Sequence, residues 1–284
     1  MFQYKCCNEV AANDVYSAFT IGFSDYMIKL NSTQEEFEKR FFGPEGNQLQ
    51  HSFIAYDGIE PVGLVLGGIR TFRGKRTLRC GTLCISPDYR GKGIAEELMR
   101  LHFQVGKAEK CDEYFLEVIK GNDRAVNFYH KLGYLPSGSL RYYQKAISEP
   151  LTSNRLQGVN VLETAFETFE ALRDQNCDIQ VNWQNEIDAF RGSERHRYFA
   201  AFDANQMMLG VLALSIGGKI EMIFVDRLHL RKGIGRMLIE EASEKLAIEK
   251  LYACVPDLTG YEQFLIHTGF TKDPLEQYEM NKSV

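Results

Sequence analysis

Along the first half of the chain, stretches with apolar residues at helical spacing alternate with short apolar runs. Each such stretch predicts one helix or one strand. Val15, Phe19, Phe23 and Met27 are spaced like one face of a helix. Short apolar runs bounded by glycine, proline or aspartate predict strands, and Asp57-Gly58 between two of them indicates a hairpin. The predicted strands cover residues 2–7, 52–56, 62–69, 78–86, 114–119 and 141–146, and the predicted helices cover 14–29, 33–42 (capped by Ser32 or Thr33), 94–105 and 124–132.

The second half repeats this alternation after a segment that lacks it. Residues 148–158, SEPLTSNRLQG, are rich in turn-forming residues and have little periodicity, which is typical of a linker. Beyond it, strands are predicted at 198–202, 209–216, 219–225 and 251–255. One helix is predicted from the glycines near 233 to about 246, and a second ends at Gly269-Phe270.

Two pairs of similar segments indicate an internal duplication. KGIAEELM at 92–99 resembles KGIGRMLI at 232–239, an offset of 140 residues. FYHKLGY at 128–134 resembles FLIHTGF at 264–270, an offset of 136. Matched segments in the same order at nearly the same offset predict two domains of one design, residues 1–147 and 159–284, joined by the 148–158 linker.

Composition narrows the class of protein. The 284 residues are 44% hydrophobic and 25% charged with a net charge of −5, so a soluble globular protein is expected and nucleic acid is not an expected partner. No signal peptide and no membrane-spanning run is evident, and seven cysteines without a paired CxxC motif favour a reduced, cytoplasmic setting. The six histidines are not at metal-ligand spacing, so no metal is expected.

The segment from Leu83 to Glu96 carries the clearest chemical signal. A strand ends at Pro87, a loop with Gly91 and Gly93 follows, and a helix begins, so backbone N–H groups converge where an anion could bind. The P-loop pattern GxxxxGK[ST] is absent, and the dinucleotide pattern GxGxxG fails at Glu96. What remains is Arg-x-x-Gly-x-Ala, or else an ordinary strand–turn–helix with a basic turn.

A second motif follows about 30 residues later. Asn122, Ala125, Phe128-Tyr129, Leu132 and Gly133-Tyr134 form N-x-x-A-x-x-F-Y-x-x-L-G-Y. With Arg90, Gly93 and Ala95, it resembles the GNAT superfamily of acetyl-CoA-dependent N-acetyltransferases, closest to the ribosomal-protein N-terminal acetyltransferase branch, over residues 52–146.

The resemblance implies an α/β fold of two tandem GNAT-like domains, each a mixed, mostly antiparallel sheet flanked by helices. It also implies acetyl-CoA as cosubstrate, bound where the central strands splay apart near Ser86-Pro87. The residues that it assigns to acetyl-CoA are Leu83, Cys84 and Ile85 (pantetheine, through the backbone), Arg90, Gly91, Lys92, Gly93, Ile94, Ala95 and Glu96 (diphosphate), and Asn122 and Tyr129 (pantetheine arm and thioester).

The reaction requires a base and an acid. An alkyl amine has a pKa of roughly 10, so it must lose a proton before it attacks a thioester, and the departing thiolate is best protonated. By resemblance Tyr129 is the acid, and Glu117, 12 residues earlier, is the base. The alternatives are a packing role for Tyr129, and a Glu117 that faces solvent or pairs with a lysine.

The second copy departs from the motif at its chemical positions. Leu230 stands where the first copy has Arg90, Arg231 where it has Gly91, and Leu265 where it has Tyr129. We therefore expect a degenerate second domain, and an N-acetyltransferase site in the first that acts on a small amine or a peptide N-terminus. For the second domain, the alternative is an independent binding domain for another ligand. For the whole chain, the alternatives are a non-catalytic acetyl-CoA sensor and a scaffold without a CoA site.

Overall fold

The chain folds into two compact units. The first is built from two separate stretches of sequence, and the second is built from one continuous stretch. A computed structural model describes residues 1–29, 32–147, 156–175, 181–257 and 260–284. The first unit comprises Met1–Ser137 together with Tyr278–Val284, and the second comprises Gly138–Gln277. In the described part of the chain, no helix is both long enough and apolar enough to cross a bilayer.

The sheet of the first unit is mostly antiparallel with one parallel pair. Strands β1 to β5 lie in chain order, and the β4–β5 pair alone among them is parallel in the described residues. The final strand of the chain, β12, lies beside β5. The elements of this unit are β1 (Gln3–Cys6), α1 (Ala12–Gly22), α2 (Gln34–Phe41), β2 (Gln48–Asp57), β3 (Glu60–Phe72), β4 (Lys75–Ile85), α3 (Ile94–Ala108), β5 (Glu113–Ile119), α4 (Asp123–Lys131), the start of β6 (Leu135–Ala146) and the end of β12 (Thr271–Ser283).

Helices cover both faces of this sheet because side chains alternate along its strands. Leu64 and Leu66 pack with Phe19 of α1 and Phe37 of α2, whereas Val65 between them packs with α3. Two apolar layers result, one on each face of the sheet, as buried central strands require.

Local sequence explains where the first helices begin and end. The Thr33 hydroxyl accepts the Glu36 N–H and the Glu36 carboxylate accepts the Thr33 N–H, so the predicted cap is confirmed as a capping box. Helix α1 stops at Gly22, earlier than the predicted residue 29. A Cβ at Gly22 would lie 2.6 Å from the Cys84 sulfur, so the glycine allows α1 to approach β4 closely.

The second unit has the same kind of sheet with one parallel pair, β10–β11, and antiparallel neighbours on either side. Its strand order is β6–β11–β10–β9–β8–β7. Its elements are the larger part of β6, β7 (Asn160–Thr164), α5 (Phe166–Gln175), β8 (His196–Phe202), β9 (Met208–Ser215), β10 (Lys219–Val225), α6 (Ile234–Lys245), β11 (Lys250–Pro256), α7 (Tyr261–His267) and the start of β12.

The predicted fold class is confirmed: each unit is a mixed, mostly antiparallel sheet with flanking helices. The predicted boundary after residue 147 differs from the observed units, because most of β6 belongs to the second unit and Tyr278–Val284 belongs to the first. Of the predicted linker, residues 148–155 lie outside the described residues.

Candidate functional site

A cavity of about 220 Å³ opens in the first unit where two central strands part. The parallel pairing of β4 with β5 runs from Thr77–Glu113 to Cys80–Leu116, and the described pairing ends there. The predicted splay near Ser86-Pro87 thus begins several residues earlier along β4. Eleven of the predicted site residues line the cavity: Leu83, Cys84, Ile85, Arg90, Gly91, Gly93, Ile94, Ala95, Glu96, Asn122 and Tyr129.

The loop before α3 has the open backbone that an anion site needs. Gly91 and Gly93 both have left-handed backbone angles, with φ of 73° and 81°, and no atom lies within 4 Å of where either would carry a Cβ. Gly93 is the N-cap of α3 and offers no capping side chain, so the first N–H groups of the helix are not satisfied by one. These residues fit a diphosphate, since small residues and helix N–H groups can approach its oxygens.

The Arg90 side chain ties the loop to the end of α1. Its guanidinium holds both Asp25 carboxylate oxygens, at 2.5 and 2.6 Å, and donates to the carbonyls of Gly22 and Ile85. The hydrogen bond from Arg90 lowers the pKa of the exposed Asp25 carboxyl. Lys92 does not line the cavity, and its ammonium lies 4.4 Å from the centre of the Tyr89 ring.

Tyr129 lies at the buried end of the cavity with only 8% of its surface exposed. The Cys80 thiol, Tyr26 and Cys84 are near enough to its hydroxyl to act on it electrostatically. Burial, reinforced by these neighbours, raises the pKa of Tyr129 well above 10. The phenol is therefore protonated at neutral pH and can donate a proton.

The structure adds residues that sequence reasoning missed. Phe23 and Tyr26 follow the end of α1 and line the cavity together with Asn122. Asn122 also caps α4 through the Ala125 N–H. The apolar spacing of Phe19, Phe23 and Met27 predicts a longer helix, but Gly22 and the polar pair at 24–25 indicate that it ends there.

Glu117 is not brought to this cavity. Its carboxylate is buried, and Arg79 holds it with Nε at 3.0 Å and Nη2 at 2.5 Å. The same guanidinium binds a Glu45 carboxylate oxygen at 3.0 Å. Arg79 thus joins β4, β5 and the turn after α2 in a buried ion triad, and the partner of Glu117 is an arginine instead of the lysine of the alternative interpretation.

The second unit repeats the loop geometry without the chemistry. Gly233 is the N-cap of α6 with φ of 88°, and Arg231 adopts φ of 60°, the left-handed conformation that Gly91 has in the first unit. Leu265, the counterpart of Tyr129, is buried and apolar. The duplication inferred from sequence is therefore visible in the backbone of both turns.

The described residues show neither a converging set of metal-ligating side chains nor a disulfide. Within them, no group of three His, Cys, Asp or Glu side chains converges as a metal site would require. The six described cysteines are free thiols, and Cys177 lies outside the described residues.

Sequence comparison finds GNAT matches in both halves of the chain. Residues 13–134 match the acetyltransferase (GNAT) family and residues 163–280 match the acetyltransferase (GNAT) domain. Among curated proteins, N-alpha-acetyltransferase 30 of Schizosaccharomyces pombe is 36% identical over 97 residues, which are 33% of this chain and 64% of that protein. The Saccharomyces cerevisiae N-alpha-acetyltransferase 30 is 34% identical over 86 residues, 29% of this chain and 48% of that protein. The chain thus spans between about half and two thirds of these relatives.

Solved structures share the fold over the whole chain. A GCN5-related N-acetyltransferase from Sphaerobacter thermophilus superposes with a TM-score of 0.75 at 12% identity, covering 99% of this chain and 95% of that one. A tandem GNAT protein from the clavulanic acid biosynthesis pathway superposes with a TM-score of 0.70 at 13% identity, covering 100% and 98%. At such low identity the likeness concerns the fold alone.

Proposed function

Because the chain belongs to the GNAT acetyltransferase family, with one match in each half, we propose that its first unit transfers an acetyl group from acetyl-CoA to a primary amine. The observation that carries this proposal is the position of Tyr129, whose protonated hydroxyl lies in the same cavity as the glycine loop. A protein that only sensed acetyl-CoA would need the loop but not a buried proton donor beside it.

Acetyl-CoA would be held by the loop and by the parted edge of β4. Gly91 to Glu96 would bind the diphosphate with backbone N–H groups. The Leu83–Ile85 stretch pairs with β3 on one side, whereas described pairing with β5 ends at Cys80, so its other edge can hydrogen-bond to pantetheine. Acetyl-CoA supplies the activated acetyl group. Asn122 and Tyr129 would lie beside the acetyl end of the bound acetyl-CoA.

Tyr129 would deliver the proton that the leaving thiolate needs. A phenol kept neutral by burial holds its proton until negative charge develops nearby, which is what a general acid requires. The neighbouring Cys80 thiol, also buried with its pKa raised to about 12, is neutral too and does not compete as an anion. The Tyr129 hydroxyl would therefore stay protonated across the physiological pH range.

Glu117 stays the predicted base, but it would act at a distance. Its carboxylate does not line the cavity and is held by Arg79, so a proton from the amine would have to reach it through water. The Arg79 guanidinium would then fix the position of the base.

The acceptor would enter past the end of α1. Phe23 and Tyr26 line the cavity near Tyr129, and an aromatic wall of this kind suits the body of an amine-bearing ligand. The N-alpha-acetyltransferases among the curated relatives support a peptide N-terminus as one acceptor class. Small primary amines are the other class.

The test is CoA release by the purified chain with acetyl-CoA and a panel of short peptides and small amines. We expect turnover with at least one of the two acceptor classes, and loss of it in Tyr129→Phe. Tight acetyl-CoA binding by both the parent chain and Tyr129→Phe, without turnover of any acceptor, would favour the acetyl-CoA sensor.

A further inference from the structure

The second unit contains a cavity of about 1160 Å³, roughly five times the volume of the one in the first unit. It lies between the end of β10, the loop before α6, the first turn of that helix, and α7. Ligand sites in proteins are concave and commonly enclose about 300–1,000 Å³, so this space can accept a small organic molecule. It is independent of the acyl-transfer proposal, since every lining residue belongs to the second unit.

The lining is cationic in a protein whose net charge is −5. Arg227, Arg231 and Arg236 line the cavity with His229 and His267, and none of the lining residues is Asp or Glu. Arg236 is paired with Glu240 at 2.7 Å and His229 with Asp226 at 2.9 Å. Arg231, by contrast, makes no ion pair with any residue that the structure describes, and its charge is available to a ligand.

Most of the remaining lining is apolar, apart from Tyr261, Gln263 and Thr268. Ile223 and Val225 come from β10, Ile234 from α6 and Phe264 from α7, and Leu230 lies in the loop with 54% of its surface exposed. A pocket with guanidinium groups and an aliphatic and aromatic lining is complementary to a ligand with a charged head and an apolar body.

The site differs from the first unit in ways that argue against the same ligand and the same reaction. Arg231 places a side chain where Gly91 leaves open space, and a Cβ at Gly235 would already lie 3.0 Å from the Phe264 ring. Leu265, in place of Tyr129, is buried and outside the lining. The Tyr261 phenol lines the cavity, but its hydroxyl donates to the Ile223 carbonyl at 2.6 Å, so no phenol stands at the position that corresponds to Tyr129.

We propose that the second unit binds an organic anion with an apolar body, an alkyl phosphate or alkyl carboxylate in chemistry, and holds it without transforming it. Arg231 supplies the charge that the head group meets, and the apolar lining receives the body. The two possible head groups are separated by the experiment.

Calorimetry with octyl phosphate and with octanoate tests this site in the full chain, and 1-octanol serves as the neutral probe. We expect one of the two anions to bind and octanol to bind at least tenfold more weakly. Charge-assisted hydrogen bonds contribute about 1.5–3 kcal/mol, so Arg231→Glu should weaken anion binding by roughly tenfold to a hundredfold. Lys232→Glu is the matched control, because Lys232 is exposed in the same loop but does not line the cavity.

Acetyl-CoA binding to the first unit shows whether the variants stay intact. We expect Arg231→Glu to keep the unfolding midpoint and the acetyl-CoA affinity of the parent chain, and saturating acetyl-CoA to leave octyl phosphate or octanoate binding unchanged. The proposal is overturned if neither anion binds, if octanol binds as well as the anions, if Lys232→Glu weakens binding as much as Arg231→Glu, or if acetyl-CoA displaces the anion.

Discussion

The Tyr129 hydroxyl combines burial with a place in the cavity, and this predicts a selective effect on chemistry. Tyr129→Phe removes one oxygen and leaves the ring in place. We expect acetyl-CoA affinity to stay within about twofold and kcat to fall by about 10²–10⁴, the range of a general acid. Steady-state kinetics and calorimetry on the same preparation measure both quantities. Because the pKa of Tyr129 lies well above 10, the parent enzyme should lose no activity from its ionisation between neutral pH and about pH 10.

Glu117 separates two roles that the sequence alone could not separate. As a base acting through water it would influence kcat, whereas as the partner of Arg79 it stabilises the fold. Glu117→Gln should lower kcat by about 10²-fold, the low end for a general base, and should also lower the thermal midpoint, because Arg79 loses a buried charge partner. Glu45→Gln, which removes the other carboxylate of Arg79, is the control. Equal losses of kcat in both variants would assign Glu117 to structure only.

His102 makes the stability of the first unit depend on pH. The ring is fully buried, neither nitrogen has a hydrogen-bond partner in the described structure, and burial lowers its pKa to about 3. Between about pH 6.5 and 3 the unfolded chain binds a proton that the folded chain does not, so stability falls as pH falls through this window. Relative to the parent, His102→Leu should gain about 2–3 kcal/mol on going from about pH 7 to about pH 4.5. Urea titrations at both values measure it; a pH-independent difference between parent and variant would contradict the assignment.

At the scale of elements, the turn before α3 makes the most specific demand on residue type. Gly93 has φ of 81° and faces open space, so a β-branched residue would both strain the backbone and project a side chain toward the proposed diphosphate. Gly93→Val should weaken acetyl-CoA binding by at least tenfold. Gly58→Val is a control for strain alone, since Gly58 has φ of 60° in the β2–β3 hairpin, outside the cavity lining. Equal acetyl-CoA affinity in the parent and Gly93→Val, with the variant folded, would refute the loop assignment.

The elements that the sequence predicts well are those in which local pattern and tertiary packing agree. The predicted 219–225 strand is observed as Lys219–Val225, and the α3 stripe of Ile94 and Leu98 packs into the core as its period indicates. The site residues near Gly93 were recoverable because a short motif contains both the turn and the helix start. Tyr26 could not be predicted as a site residue, because its place in the cavity depends on where α1 stops. The Glu117–Arg79 pair could not be predicted either, because it depends on the register of two strands.

The predictions missed β7, α5 and the final strand β12, and for the two strands the reason is visible in their burial. Strand β7 is an exposed edge strand of five residues with a weak apolar pattern, and β12 is long but mostly half-buried, so neither shows a clean alternation. A period-based assignment requires one face to be consistently apolar, and these segments bury only a few side chains each. The division of β6 and β12 between units depends on long-range pairing, which no local pattern records.

At the scale of the whole molecule, the first unit is completed by the last residues of the chain. Met280 is fully buried in the same apolar cluster as Tyr129 and Leu98. Around it, Glu279 accepts two hydrogen bonds from Arg73 at 2.7 and 3.0 Å, and Lys282 donates to the Leu132 carbonyl at 2.6 Å. A segment about 140 residues away in sequence therefore stabilises the sheet and the end of α4, the helix that carries Tyr129.

This arrangement predicts that the first unit depends on the end of the second half of the sequence. A chain that stops at Gln277 should lose acetyl-CoA binding and the unfolding transition of the first unit, because Met280 and the Glu279–Arg73 pair are removed together. In the full-length chain, Met280→Ala should lower the free energy of unfolding of this unit by about 2–5 kcal/mol, the range for deleting a buried side chain, whereas Met280→Leu should cost less than about 1.5 kcal/mol. Removal of Ser283 and Val284 alone is the matched truncation, since both are exposed. Urea unfolding followed by acetyl-CoA calorimetry separates the outcomes. A chain ending at Gln277 that binds acetyl-CoA and unfolds like the parent would show that the first unit folds without this segment.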